Sequence, residues 1–122
     1  MKILFYSTKD YEQSFLEACN VNKREVTFTN QRLSSHTVHL AQGFEAISIF
    51  TGDDASAPVL EDLAGIGIRF IAIRAAGFDN VNIDKATECG IIVTNVPAYS
   101  PYAIAEHAVA MILALNRKII LA

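Results

Sequence analysis

Phe70-Ile71-Ala72-Ile73-Arg74-Ala75-Ala76-Gly77-Phe78-Asp79-Asn80-Val81-Asn82-Ile83-Asp84 is the stretch whose reading decides the fold. An apolar run gives way to small residues and a glycine, and then to an asparagine that opens a helical pattern. The motif returns at once. Gly90-Ile91-Ile92-Val93-Thr94 leads into Asn95-Val96-Pro97-Ala98-Tyr99-Ser100-Pro101, and a long helical pattern begins at Tyr102. Strand, loop and helix in repeated alternation belong to a parallel α/β sheet, where ligands bind at the carboxyl ends of the strands. Gly77 lets backbone N–H groups approach a small anion, since no Cβ intervenes. The plainer reading of Gly77 is a tight turn that needs glycine.

The same alternation extends toward the N-terminus. Lys2 to Tyr6 reads as a first strand, Glu25 to Thr29 as a half-exposed second and Ala46 to Phe50 as a buried third. Arg69 to Ile73 and Ile91 to Thr94 supply the fourth and fifth. Thr8 or Asp10 is placed to cap a helix running to about Asn20, with Tyr11, Phe15, Leu16 and Cys19 on one face. Ser35 caps a short helix through Leu40, ended near Gly43. Ser56 caps a helix with Pro58 in its first turn and a core stripe of Val59, Leu60, Leu63 and Ile66. Asn82 caps a helix over Ile83 to Cys89, closed by Gly90. The expected fold is a doubly wound five-stranded parallel α/β sheet of flavodoxin-like topology, strand order 2-1-3-4-5.

Composition narrows the function classes. A chain of 122 residues that is 52% hydrophobic and 19% charged folds around one core. A formal net charge of -3, with no basic run, argues against nucleic acid as the partner. The N-terminal apolar run turns polar at Ser7-Thr8-Lys9-Asp10, too short for a signal-peptide core or a membrane span. Cys19 and Cys89 have no metal or redox spacing and read as free thiols of a cytoplasmic protein.

The last segment, residues 102–122, has no Gly or Pro and reads as one helix. Ile104, Ala108, Met111, Ile112 and Leu115 lie on one side; Ala105, Val109, Ala110 and Leu113 lie on the other. A helix apolar all round must be buried all round, and one sheet covers only one of those faces. Burial in a homodimer answers this demand. A lead into a second domain answers it too, and is the reading preferred here. Residues 1–101 then form a substrate-binding domain, and residues 102–122 a helix leading toward a nucleotide-binding domain.

The Arg74-to-Asp84 pattern, the Val96-Pro97-Ala98-Tyr99-Ser100-Pro101 loop and the Ala105-Glu106-His107 helix start resemble the D-2-hydroxyacid dehydrogenase family. Tyr6-Ser7-Thr8-Lys9, Ile49-Phe50-Thr51-Gly52-Asp53-Asp54 and Pro58-Val59-Leu60-Glu61 resemble its fermentative D-lactate branch. The resemblance covers essentially the whole chain, but only the first part of the family's chain. It implies the substrate-binding portion of an NAD-dependent enzyme that reduces pyruvate to D-lactate. It implies that the amides of Ala76 and Gly77 hold the carboxylate of a 2-oxo or 2-hydroxy acid. Tyr99 would line the cleft and place substrate against the nicotinamide, Ile104 would back the nicotinamide ring, and Phe50 with Thr51 would form a pocket wall. The plainer roles are packing under a Pro-rich turn for Tyr99 and helix core for Ile104.

No catalytic residue is expected in the chain. The family's arginine, glutamate and histidine match positions beyond Ala122, and no G-x-G-x-x-G follows a strand. Arg74 is expected to pair with Asp79 and fix the loop. His107 is read as structural, because its neighbour Glu106 does not share its helix face. His36 and His39 lack ligand partners, and Asp53-Asp54 is explained by a turn, so no metal is expected. The isolated chain is expected to be inactive and to self-associate as a homo-oligomer.

Rival classes fail on residues. A receiver domain needs an acidic pair after the first strand, where Ser7-Thr8-Lys9-Asp10 stands. A flavodoxin needs a glycine-rich phosphate loop there, and no glycine precedes Gly43. A truncated, non-catalytic oligomerising module remains as the alternative.

Overall fold

Short apolar runs between turn residues become strands, and the computed structural model describes residues 1–21 and 24–119. The elements are β1 (Lys2–Phe5), α1 (Asp10–Cys19), β2 (Glu25–Phe28), a 3-10 helix (Val38–Ala41), β3 (Ala46–Ile49), α2 (Ala57–Gly65), β4 (Phe70–Ile73), α3 (Ile83–Glu88), β5 (Ile92–Thr94) and α4 (Pro101–Asn116). All four pairings are parallel and the order is β2-β1-β3-β4-β5, as expected. The register sets Leu4 beside Ile47 and Ile47 beside Ile71, so one face presents a continuous aliphatic surface. α2 closes this face with Val59, Leu60 and Leu63, all buried. α3 adds Ala86, and the 3-10 helix adds Val38 and Ala41. The opposite face is open toward β4 and β5, where Phe70 and Ile92 are 42% and 57% exposed.

Local signals explain the boundaries. The side-chain oxygen of Asn82 accepts from the Lys85 amide at 2.9 Å and caps α3. At its other end Gly90 takes φ +69°, and the amides of Gly90 and Ile91 donate to Thr87 O and Ala86 O. Only glycine adopts this left-handed closure without strain.

Several expectations need correction. The N-cap of α1 is Lys9, whose amide donates to Glu12 Oε2 at 2.9 Å, while the Thr8 hydroxyl turns back to Phe5 O. The Ser56 side chain makes no cap bond to α2; its amide donates to Asp54 Oδ1 instead. The helix expected from Ser35 is a turn followed by the 3-10 helix. Thr37 Oγ1 donates to Arg32 O and accepts from the Ser34 amide, diverting the backbone from α geometry. The stripe on α1 is not a core: Tyr11 and Phe15 are 73% and 72% exposed and no residue of α1 is buried.

The last helix differs most. α4 ends at Asn116, where the apolar pattern breaks into Asn116-Arg117-Lys118, and Lys118 is left-handed at φ +52°. Residues 120–122 lie outside the described residues. Neither apolar side of α4 packs on the sheet, and none of its residues is buried. No helix among the described residues is long and apolar enough to cross a membrane.

Candidate functional site

The loops after β1, β3, β4 and β5 meet along the carboxyl edge of the sheet, and polar side chains stitch them together. Asp53, 2% exposed, accepts from Ser7 Oγ at 2.7 Å, the Leu33 amide at 2.8 Å and the Phe50 amide at 2.6 Å. A buried carboxylate needs such partners: Ser7 ties the loop after β3 to that after β1, Leu33 ties it to the segment after β2, and the Phe50 amide closes the loop on itself. Ser7 sits at φ +52°, a strained value for a residue with a side chain, and its bond to Asp53 holds it there. Asn80 Nδ2 donates to Phe50 O and Asp53 O, joining the loop after β4 to that after β3. Asn95 Nδ2 donates to Ala76 O at 2.8 Å, joining the loop after β5 to that after β4.

Arg74 lies inside this rim and does not pair with Asp79. Its guanidinium donates to Tyr6 O at 2.9 Å and Ser48 Oγ at 3.1 Å, and its nearest carboxylate is Glu12 at 3.9 Å. Burial lowers the pKa of Arg74, opposed by the charges of Glu12 and Asp53. Tyr6 is wholly buried and pushed up to about 12, first by burial and then by the charge of Asp53. Its hydroxyl donates to Thr37 O at 2.8 Å.

A cavity of about 380 Å³ opens between the ends of β4 and β5. Arg74, Ala75, Asn95, Val96 and Tyr99 line it, and its walls are mostly apolar. Tyr99 is 71% exposed and precedes Ser100, left-handed at φ +40° ahead of Pro101. Ala76 and Gly77 are exposed on the loop after β4. Among the described residues their amides form no hydrogen bond. Gly77 does not have a left-handed φ, and a Cβ built on it would meet only Asp79 Oδ2, at 4.0 Å. The turn itself therefore does not require glycine.

Phe50, Ala76, Gly77 and Tyr99 thus come to one edge, while Ile104 stands apart on α4, 65% exposed. His107 is exposed on the same helix. The linking residues Asp53, Asn80 and Asn95 escape a reading of the sequence, because their partners in other loops are 19 to 46 residues away. A lone Asp after an apolar strand was the one available signal, and it reads equally as a turn.

Fold and edge define a parallel α/β ligand-binding domain with its cleft at the strand ends. Residues 3–118 match the D-isomer specific 2-hydroxyacid dehydrogenase, catalytic domain, and the chain belongs to that family. It is 47% identical over 120 residues to D-lactate dehydrogenase of Escherichia coli, covering 98% of this chain and 36% of that protein. The apo structure of the Escherichia coli enzyme superposes with a TM-score of 0.85, at 47% identity, over 98% of this chain and 39% of the other. A pyruvate reductase structure from Chlamydomonas reinhardtii gives 0.86 at 39% identity, covering 100% and 36% of the two chains. An NAD-complexed D-isomer specific 2-hydroxyacid dehydrogenase from Lactobacillus delbrueckii ssp. bulgaricus gives 0.74 at 35% identity, covering 98% and 37%. The chain therefore spans little more than a third of the proteins it matches.

Proposed function

We propose that the chain is the substrate-binding portion of an NAD-dependent D-lactate dehydrogenase that reduces pyruvate. Gly77 carries this reading: the fold gives no reason for a glycine there, and its amide points to no acceptor of its own. The amides of Ala76 and Gly77 donate to the substrate carboxylate, at the strand end where a parallel sheet presents its loops. Phe50 limits the room beside the substrate methyl group. Tyr99 forms the mobile side of the cleft, next to the strained Ser100 and Pro101 where α4 departs. That junction is the hinge between residues 1–101 and the helix.

The residues present fit one side of a nicotinamide cofactor. Tyr99, in the loop after β5, and Ile104, on α4, both present exposed apolar surface. No glycine-rich phosphate loop accompanies them. NADH supplies the hydride when bound; the side chains here orient the acid that receives it. General acid chemistry for the carbonyl oxygen is the work of a group such as histidine, and among the described residues no histidine lines the cavity between β4 and β5. The 122-residue chain alone is therefore inactive, and its bare α4 makes it self-associate.

The test is NADH oxidation with pyruvate. A full-length protein carrying these residues converts pyruvate to D-lactate, and the 122-residue chain does not. A full-length protein that reduces neither pyruvate nor its homologues overturns the reading.

A further inference from the structure

The Arg74 guanidinium is drawn into the rim, and its contacts reach further than a loop clamp needs. Its carbon centre lies 5.8 Å from the Phe5 ring centroid and 5.9 Å from that of Phe50. Its Nη atoms reach the ends of β1, through Tyr6 O and more weakly Ser7 O at 3.4 Å, and β3, through Ser48 Oγ. Its Nε is buried with no hydrogen-bond acceptor and meets Glu12 Oε1 only at ion-pair distance, 3.9 Å, so the fork and the two rings fix the orientation of the group. The backbone of Arg74 is only three residues before Gly77, and its amide donates to Ile49 O, one residue before Phe50. One side chain therefore spans from the anion-holding loop to the face of Phe50.

We propose that Arg74 is a positioning residue that sets the width of the substrate pocket by fixing Phe50 relative to Ala76 and Gly77, and so governs selection among short 2-oxo acids. The proposal rests on the reading of Phe50 as the pocket wall. A lysine keeps the charge but cannot fork to two strand ends while stacking between two rings. The wall then gives, and a longer substrate gains access. Selection by a hydrophobic wall is sensitive to one methylene, so movement of the ring registers in the ratio of two homologous acids.

The experiment uses the full-length enzyme and the ratio of kcat/KM for pyruvate to that for 2-oxobutyrate. Arg74→Lys is expected to move the ratio about tenfold toward 2-oxobutyrate. Phe50→Ala moves it in the same direction, and the double variant moves it no further than Phe50→Ala alone, because both act on one wall. Ser48→Ala removes a single Arg74 acceptor and gives a milder shift, about two- to threefold. It keeps the test alive if Arg74→Lys fails to fold. Ile68→Val, in the core away from the rim, lowers the melting temperature and leaves the ratio alone. If Phe50→Ala shifts the ratio and neither Arg74→Lys nor Ser48→Ala does, Arg74 is structural only and the proposal is overturned. If Phe50→Ala leaves the ratio unmoved, Phe50 is not the wall, and the action of Arg74 through it falls with that reading.

Discussion

Helices α2 and α4 are alike in sequence character and opposite in fate. Both begin with a proline in the first turn and both are rich in aliphatic residues. α2 concentrates Val59, Leu60 and Leu63 on one side, and all three are buried against the sheet. α4 spreads its apolar residues around the axis, and Ile104, Val109, Ile112, Leu113 and Leu115 are each more than half exposed. A stripe states which surface a helix needs. A helix apolar all round states only that it needs more surface than one sheet face supplies. α2 is thus part of the domain's stability, while the apolar surface of α4 is unmatched among the described residues.

The contrast can be broken by substitution. Leu63→Ala, wholly buried on α2, is expected to cost about 2–5 kcal/mol in urea unfolding of the chain. A cost below about 1 kcal/mol would place α2 in the same class as α4. Asp53→Ala is expected to cost about 3 kcal/mol, because a hydroxyl, the buried Leu33 amide and the half-buried Phe50 amide lose their acceptor. The rim tested by this change is as much a part of the folded unit as α2.

Alkali sharpens the comparison from another side. Tyr6 has a folded pKa of about 12 against an ordinary 10.0, so its neutral form is favoured in the folded chain. Its contribution is complete below pH 10 and is lost as pH rises toward 12. Absorbance at alkaline pH should therefore show a step in which Tyr6 ionises together with unfolding, and Tyr6→Phe should remove that step. Ionisation of Tyr6 near pH 10 in the still-folded chain would contradict its burial. The smallest effect belongs to α4: Leu113→Ala should change stability by less than about 0.5 kcal/mol, while reducing self-association measured by light scattering.

Sequence patterns went far with the sheet and little way into the rim. Apolar runs such as Ala46–Ile49 and Phe70–Ile73, each bounded by turn residues, sufficed for five strands in order. Local chemistry at Asn82 and Gly90 placed α3 to within a residue. The partners of Arg74 were not legible. Asp79 is near in the chain, but Tyr6 O is 68 residues away and becomes a neighbour only once β1, β3 and β4 pair. The exposure of Tyr11 and Phe15 was equally hidden, since an apolar stripe does not say whether a partner is present. Family resemblance pointed to Gly77, and geometry then removed the turn as the reason for a glycine.

Gly77→Ala in the full-length enzyme tests the central claim most directly. Its backbone is open to any residue and its Cβ space is free, so the folded state should be unharmed or gain about 0.4–1 kcal/mol. If the amides of Ala76 and Gly77 hold the carboxylate, the new methyl group stands in the substrate's approach, and KM for pyruvate should rise at least about tenfold with the melting temperature held. An unchanged KM, or a fall in melting temperature that accounts for the lost activity, would contradict the account.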